Sequence, residues 1–335
     1  MPNTITMLTG DRPTGPLHLG HHAGSLIERV RMQARDAERF IMIADAQAYT
    51  DNIGDTAKVA EAIPTLVADY IAAGIDPLRS TIFLQSAVPE LVELMQIFMN
   101  ITTLARLERN PTVRDEIKQR GFEKSIPAGF ACYPIAQAAD ILGFRATHVP
   151  VGTDQLPMIE LASETAARIN RMAGRDVLAI PQVVLTSTGR LPGIDGKAKA
   201  SKSLNNAIFL SDDAAEVKRK TMMMFTDPDH IRVSDPGKVE GNVVFSYLDA
   251  FDPDKEKVED LKTRYRKGGL GDVVIKKELV AVLEALLAPM RDRRPDPQAS
   301  RDVCVDILRE GTLAARTRVA DVLADVRKAL GIFVL

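Results

Sequence analysis

The stretch ITMLTGDRPTGPLHLGHH, residues 5–22, decides the fold. Its first four residues are rich in apolar side chains and are followed by Thr-Gly, which predicts a short buried strand. Residues 11–16 hold two prolines and a glycine, a composition that predicts a loop. From Leu19 to Ala34 apolar residues recur at helical spacing. We therefore expect a strand, a loop and a helix in direct succession.

The same alternation continues downstream. Residues 40–44 form a continuous apolar run, and residues 81–84 a second one, so both predict buried strands. Apolar residues between 59 and 71 follow helical spacing, and we expect Pro64 to kink that helix or to set its start. The order predicts an α/β fold with a parallel, doubly wound sheet, in which ligands bind beyond the carboxyl ends of the strands.

Beyond residue 88 the pattern is mostly helical, with strand-like segments at 147–151 and 183–186. Residues 188–203 are rich in Gly, Lys and Ser, which predicts a mobile loop. Nearly all of 212–330 has helical periodicity, with a loop near 226–241. Within it, residues 262–294 hold nine basic and four acidic side chains, which indicates either a solvated helical face or a phosphate-contacting surface.

The composition excludes several classes of protein. The 335 residues are 45% hydrophobic and 26% charged, and the net charge is −2, which excludes a disordered chain and gives no sign of global attraction to nucleic acid. Cys132 and Cys304 are too few for a disulfide framework and lack zinc-site spacing. We expect a reducing, cytoplasmic location, because there is no secretory signal and no run of about 18 apolar residues to span a membrane.

Three of the five histidines lie within five positions, where the first strand is followed by the first helix. His18 and His21 form a His-x-Gly-His pattern there. A helix N-terminus attracts phosphate, and imidazoles at that point can donate hydrogen bonds to phosphate oxygens. The alternative is that both are ordinary helix-start or surface histidines. The P-loop, G-x-G-x-x-G and H-E-x-x-H patterns are absent, which argues against a simple hydrolase or dehydrogenase.

Three further segments carry polar chemistry. KAKASKS at 197–203 can hold a triphosphate, or it is a solvated basic loop. On the predicted helix through 133–141, a phenol, an amide and a carboxylate share one face; Asp140 is then either a structural carboxylate or a polar contact for a substrate N–H or ammonium. GTDQ at 152–155 follows a predicted strand and is either a ligand loop or a plain turn.

Together these motifs resemble the class I aminoacyl-tRNA synthetases. HLGH at 18–21 is similar to the HIGH motif of that family, and KASKS at 199–203 is similar to its KMSKS motif. TGDRPTG at 9–15, YPIAQAADI at 133–141 and GTDQ at 152–155 resemble the tryptophan and tyrosine branch. VPVGTDQLPMIELA and TDPDHIR resemble the bacterial tryptophan-specific members, and LTGDRPTGPLHLGH and VEGNVVFSYLDAFDPD their auxiliary second form. The resemblance covers essentially the whole chain.

The resemblance implies a tryptophan–tRNA ligase. Its Rossmann-like catalytic domain would cover residues 1–205, with a helical insert at about 88–180 and the KMSKS-like loop at 196–203; a helical, anticodon-binding domain would cover 206–335. Catalytic roles are implied for His18, His21, Lys199 and Lys202. ATP contacts are implied for Arg12, Pro13, Thr14, Gly20, His21, Gly152, Thr153, Asp154, Leu191, Lys199, Ala200, Ser201, Lys202 and Ser203. Tryptophan contacts are implied for Leu8, Tyr133, Gln137, Asp140, Ile141 and Gln155, with Asp140 accepting the indole N–H.

The resemblance also implies Mg²⁺ held mainly by the ATP phosphates, with no metal site on the protein, and a homodimer that acts on L-tryptophan and tRNA(Trp).

Three residues depart from the family pattern. Gln137 and Gln47 stand where methionine and histidine are usual, and Tyr133-Gln137-Asp140 fits the tyrosine-specific pattern, so tyrosine remains an alternative substrate. Ala200 stands where KMSKS has methionine, so a weakly active paralogue with a regulatory or partner-binding role is a further alternative.

Overall fold

A computed structural model describes residues 5–185, 191–202, 204–296, 298–299 and 301–333. Its sheet consists of five parallel strands in the order β3-β2-β1-β4-β5. The strands are β1 (Ile5–Asp11), β2 (Ala37–Ile43), β3 (Thr81–Leu84), β4 (His148–Val151) and β5 (Gln182–Leu185). The doubly wound parallel sheet is therefore confirmed. The chain order reverses direction between β1 and β4, and ligands bind at such a switch point.

The strand β1 is longer than its apolar run predicts. Thr9, Gly10 and Asp11 continue the ladder opposite Ile41, Met42 and Ile43 of β2. A glycine is required at position 10, because a Cβ there would lie 2.6 Å from the carbonyl oxygen of Met42. The extension places the side chain of Asp11 at the carboxyl end of the central strand.

The first helical run has three parts: α1 (Leu19–His21), a π-helical turn (His22–Leu26) and α2 (Ile27–Met32). It ends two residues before the predicted Ala34. The next helices are α3 (Asp45–Asn52) and α4 (Thr56–Ala73). The side chain of Asp55 accepts a hydrogen bond from the N–H of Lys58 and caps α4, so Pro64 lies inside this helix and does not set its start.

The remaining helices agree with the largely helical pattern beyond residue 88. They are α5 (Glu90–Met99), α6 (Leu104–Glu108), α7 (Pro111–Gln119), α8 (Ala128–Gly143), α9 (Leu156–Ala173), α10 (Ala214–Met222), α11 (Val243–Phe251), α12 (Lys255–Lys267), α13 (Asp272–Arg293) and α14 (Arg301–Leu330). A loop at 223–242 matches the predicted one. Thr186, the predicted end of a strand, and residues 188–190, the predicted start of the loop at 188–203, lie outside the described part of the chain. No helix in the described part is long and apolar enough to cross a membrane.

Helices pack on both faces of the sheet. One buried cluster joins Ile41 and Ile82 to side chains of α11 and α13. The other joins Phe40 and Phe83 to α5, α8, α9 and the second half of α14. The helix α14 also covers the edge strand β3: the backbone N–H of Leu84 donates to Oγ1 of Thr312 over 3.1 Å. The chain's last helix thus belongs to the core around the sheet, and the predicted division at 205/206 stays a prediction.

Candidate functional site

Residues 12–21, here called the histidine loop, lie at the switch point of the sheet, beyond the end of β1. Backbone pairing holds its last residues against the chain that follows the KASKS segment: the N–H of Leu19 donates to O of Ile208 over 2.9 Å, and the N–H of Leu210 donates to O of Leu17 over 2.9 Å. His18 and Phe209 form a bridge between these two segments. Two motifs separated by about 180 residues are thereby brought side by side.

His18 and His21 form one hydrogen-bonded unit. Nδ1 of His18 accepts from the N–H of Gly20 over 3.0 Å, and Nδ1 of His21 accepts from the N–H of His18 over 3.2 Å. The ring centroids are 3.9 Å apart. Because each Nδ1 is an acceptor, each neutral ring carries its proton on Nε2. The backbone thus sets both rings in the tautomer that can donate a hydrogen bond to a ligand.

Both imidazoles are neutral at pH 7. Burial, followed by the partner ring of His21 and then by the positive charges of Lys202 and Lys199, lowers the pKa of His18 to about 3. Burial also lowers the pKa of His21 to about 4, although the negative charge of Asp11 opposes the shift. These side chains therefore act as hydrogen-bond donors and not as cations.

Asp11 is the centre of a buried ionic cluster that the sequence analysis did not identify. Its Oδ2 accepts from Nη1 of Arg29 over 2.6 Å and from the hydroxyl of Tyr70 over 2.7 Å. Burial alone would raise the pKa of Asp11, but Arg29, His21 and these hydrogen bonds hold it well below its usual range. A carboxylate that stays ionised thus lies next to His21. Arg29 lies on α2 and Tyr70 on α4, and the sequence pattern marks neither of them as more than an ordinary helix residue.

The KASKS segment is held by Asn206 and by β-type pairing. The side chain of Asn206 accepts from the N–H of Ser201 over 2.9 Å and donates to Asp195 over 3.1 Å. The N–H of Ala200 donates to O of Leu191 over 3.0 Å. Leu191 and Ala200, both predicted to contact ATP, are buried. Ser203 lies outside the described residues.

The two lysines of this segment differ in environment. Nζ of Lys202 donates to O of Gly15 over 2.7 Å, so it closes on the loop after β1. Burial lowers the pKa of Lys202 to about 8, although the charge of Asp11 limits the fall. Lys199 is exposed at the surface. The structure therefore brings Lys202, but not the ammonium of Lys199, into contact with the histidine loop.

Beside this loop lies a cavity of about 100 Å³. Tyr133, Gln137 and Gln155, all predicted to contact the amino acid, lie on its wall. Nε2 of Gln137 donates to Oε1 of Gln155 over 3.2 Å. The lining residues are Arg12, Gln47, Thr50, Glu116, Phe130, Tyr133, Gln137 and Gln155. Thr50, Glu116 and Phe130 were missed, because each lies on a helix and belongs to none of the sequence motifs.

Asp140 lies behind this wall, in full burial. Nε2 of Gln47 donates to its Oδ2 over 2.6 Å, and Nε2 of Gln85 donates to both of its oxygens over 2.8 and 2.9 Å. Burial raises the pKa of Asp140 to about 7, and the two amides oppose that rise. The carboxylate thus has structural partners, which agrees with the prediction of a structural carboxylate. One of these partners, Gln47, also lines the cavity.

The other predicted contacts fall into three groups. Leu8 and Ile141 are buried in the apolar core beneath the site and are not on the cavity wall. Gly152 follows β4, and Thr153–Gln155 form a 3₁₀ turn at the switch point. A Cβ on Gly152 would lie 2.8 Å from Oδ1 of Asp154, so a larger residue there would displace that exposed side chain. Pro13, Thr14 and Gly20 lie in the loop and first helical turn around His18.

The comparisons with known proteins give one family. The model of the "tRNA synthetases class I (W and Y)" matches residues 2–288. The tryptophan–tRNA ligase of Clostridium longisporum is 54% identical over 329 residues, which are 97% of this chain and 96% of that one. That of Lactococcus lactis is 50% identical over 98% of both chains.

Solved structures agree. The tryptophanyl-tRNA synthetase of Campylobacter jejuni, complexed with ADP and tryptophan, has a TM-score of 0.81 and 29% identity, over 98% of this chain and 100% of that one. A tyrosyl-tRNA synthetase of Archaeoglobus fulgidus, complexed with L-tyrosine, shares the fold with a TM-score of 0.69 at 24% identity, over 88% and 92% of the two chains. The chain belongs to the class I tRNA synthetases of the tryptophan and tyrosine group.

Proposed function

We propose that this protein is a tryptophan–tRNA ligase: it activates L-tryptophan with ATP and transfers it to tRNA(Trp). The observation that carries the proposal is the pair of His18 and His21, held as Nε2–H donors next to Lys202 at the switch point of the sheet. Relatives about 50% identical over nearly the whole chain carry this activity in their names.

In the first step, the tryptophan carboxylate attacks the α-phosphate of ATP, the bond to the β-phosphate breaks and pyrophosphate leaves. A carboxylate is already ionised, so no protein base is required. This chain's residues position the reactants and stabilise the charge that grows on the phosphates. His18 and His21 would donate through Nε2, and Lys202 would supply a mobile cation. In the second step, a terminal ribose hydroxyl of the tRNA attacks the adenylate and AMP leaves.

Mg²⁺ enters this proposal as a companion of ATP. The described residues contain no group of three or more His, Cys, Asp or Glu side chains that could hold a metal ion. Our proposal is that the ligands of this ion are mostly phosphate oxygens and water. When bound, the ion would neutralise part of the triphosphate charge.

Tyrosine is the second candidate substrate, because Tyr133, Gln137 and Asp140 are placed along one helix in the pattern of the tyrosine-specific relatives. Pyrophosphate exchange into ATP, measured separately with tryptophan and with tyrosine, tests the assignment. We expect strong discrimination in favour of tryptophan. Equal or greater exchange with tyrosine would overturn the choice of amino acid, and no exchange with either would favour a regulatory paralogue.

The remaining parts of the proposal concern partners. A homodimer in the cytoplasm and an anticodon-binding role for residues 206–335 follow from the family. The basic stretch at 262–294 is partly neutralised: Lys262 pairs with Asp249 over 2.7 Å, and Arg291 pairs with Glu284 over 2.5 Å. For part of that stretch, these pairs support the alternative that the basic residues belong to a solvated helical face and do not contact phosphate.

A further inference from the structure

Two consecutive residues of α4, Asp69 and Tyr70, contact both ends of residues 11–17, here called the Gly15 segment. The hydroxyl of Tyr70 donates a hydrogen bond to Oδ2 of Asp11 over 2.7 Å. Oδ2 of Asp69 accepts a hydrogen bond from the N–H of Leu17 over 2.7 Å. The Gly15 segment, which runs from the end of β1 into the histidine loop, is therefore attached to one helix at its first and at its last residue.

The helix that makes these contacts is fixed in the core. Tyr70 is completely buried, and so are Leu66 and Val67 one turn before it. Leu17, the last residue of the Gly15 segment, belongs to the same buried cluster as these helix residues. Because the interior is close-packed, α4 and the Gly15 segment hold one fixed position relative to each other.

Both partners of the hydrogen bond between Tyr70 and Asp11 keep the protonation state that it needs. Burial, followed by the charge of Asp11, raises the pKa of Tyr70 well above its ordinary value, so the hydroxyl remains a donor. Nη1 of Arg29 donates to the same Oδ2 of Asp11 over 2.6 Å. The charge of Asp11 therefore stays balanced when the hydroxyl of Tyr70 is removed, and no buried charge is left unpaired.

The Gly15 segment also carries the contact point of Lys202. Nζ of Lys202 donates to O of Gly15 over 2.7 Å, and its Cδ lies 3.6 Å from the position that a Cβ on Gly15 would take. The φ of Gly15 is +132°, a backbone conformation that glycine adopts readily and other residues rarely. The direction of this carbonyl depends on the backbone on either side of it, which Tyr70 and Asp69 hold. A displacement of the Gly15 segment would therefore move the group that holds the ammonium of Lys202.

We propose that Tyr70 is a positioning residue for amino-acid activation: acting through Asp11, it fixes the Gly15 segment and with it the ammonium of Lys202. Tyr70 is completely buried and would touch no reactant itself. The reaction rests on the proposed function, whereas the route from Tyr70 to Lys202 rests on the contacts above. A misplacement of about 1 Å caused by a residue away from the chemistry can lower a rate by about 100-fold.

A matched pair of variants, Tyr70→Phe and Tyr265→Phe, separates positioning from a loss of stability. Tyr265 lies on α12 and is also completely buried, and its hydroxyl donates to Oδ1 of Asp272 over 2.7 Å. Each variant thus loses a hydrogen bond from a buried tyrosine to a carboxylate, but only Tyr70 holds the Gly15 segment. Urea unfolding compares the stabilities, and pyrophosphate exchange at varied ATP and, separately, at varied tryptophan gives kcat and the two KM values.

We expect both variants to lower the urea midpoint by similar amounts. Tyr70→Phe alone should lower kcat, by about 10- to 100-fold, and the KM for tryptophan should stay within about twofold of the wild type. Added to Lys202→Ala, Tyr70→Phe should cost no more than about a further threefold, because the ammonium that it positions is already absent.

Three results would overturn the role of Tyr70: an unchanged kcat in Tyr70→Phe, an equal loss of kcat in Tyr265→Phe, or a fully additive loss in the double variant with Lys202→Ala. A wild type that shows exchange with neither tryptophan nor tyrosine would refute the proposed function itself. An active wild type with an unaffected Tyr70→Phe would refute only the positioning role. If the wild type prefers tyrosine, the same comparison with tyrosine as substrate decides the role of Tyr70.

Discussion

The carboxylate of Asp69 joins the histidine loop to the C-terminal helices. Its Oδ2 accepts from the backbone N–H of Leu17 over 2.7 Å, and its Oδ1 pairs with the guanidinium of Arg294, which follows α13. Asp69 is completely buried. Since Leu17 immediately precedes His18, one buried ion pair connects the position of the histidine loop with a segment more than 200 residues away.

Asp69→Asn should destabilise the protein by roughly 3–5 kcal/mol, because the guanidinium of Arg294 is left buried without its counter-charge. The measurement is urea unfolding of the variant and of the double variant Asp69→Asn/Arg294→Met. The double variant should recover part of the loss. A double variant no more stable than the single one would contradict the ion-pair explanation.

At pH 8, where the carboxyl of Asp140 is ionised, Asp140→Asn should lower kcat/KM for tryptophan by a factor that corresponds to about 1.5–3 kcal/mol, because the proposed acceptor of the indole N–H loses its charge. The KM for ATP should stay nearly constant. Pyrophosphate exchange measured at varied tryptophan and, separately, at varied ATP provides the two values. If kcat/KM for tryptophan equals that of the wild type, the role of Asp140 is only to accept the hydrogen bonds from Gln47 and Gln85.

The raised pKa of Asp140 also has a consequence for stability. In the unfolded chain this carboxyl titrates near 3.8, and in the folded protein near 7, so folding favours the protonated form. The free energy of unfolding of the wild type, relative to Asp140→Asn, should therefore fall as the pH rises from about 4 to 7 and level off above 7. Denaturant unfolding of both proteins at pH 5, 6, 7 and 8 measures this difference. A difference that stays constant across the series would be inconsistent with the burial effect.

The protonation of Lys202 should limit activity at alkaline pH. Its pKa of about 8 means that the ammonium is present below pH 8 and lost above it. We expect kcat/KM for ATP to fall above pH 8, with no loss between pH 5.5 and 7 from His18 or His21, whose pKa values lie well below this range.

The controls use two variants of the same residue. Lys202→Arg keeps its charge to higher pH and should remove the alkaline fall, whereas Lys202→Ala should lower kcat more than it raises the KM for ATP, because a mobile lysine acts chiefly on charge that grows in the transition state. An effect confined to KM would mean that Lys202 binds only ground-state ATP.

Ala200→Met should accelerate adenylate formation. Ala200 is buried, and its Cβ lies 3.9 Å from the position that a Cβ on Gly20 would take, so it faces the histidine motif. A methionine there can add about 1.5–3 kcal/mol of burial to a closed loop. The rival result is overpacking, which costs about 1–3 kcal/mol. Single-turnover rates of the two proteins decide between them; a slower or unchanged rate in the variant favours the rival.

The sequence alone determined the features that depend on neighbouring residues. Apolar runs located β2 and β3, because a strand buried on both faces needs consecutive apolar side chains. The His-x-Gly-His pattern located the loop at the carboxyl end of β1, and the family resemblance located the KASKS segment.

Tertiary structure decided what those residues touch. Gln85 lies 55 positions from Asp140, Asp51 lies 69 positions from Arg120, and Glu116 meets Tyr133 only because α7 packs beside α8. Such partners are set by tertiary packing, and the spacing of residues within one segment of the sequence cannot predict them. Tertiary packing also brought α14 onto the edge of β3, where it protects backbone groups that an exposed strand would leave unpaired.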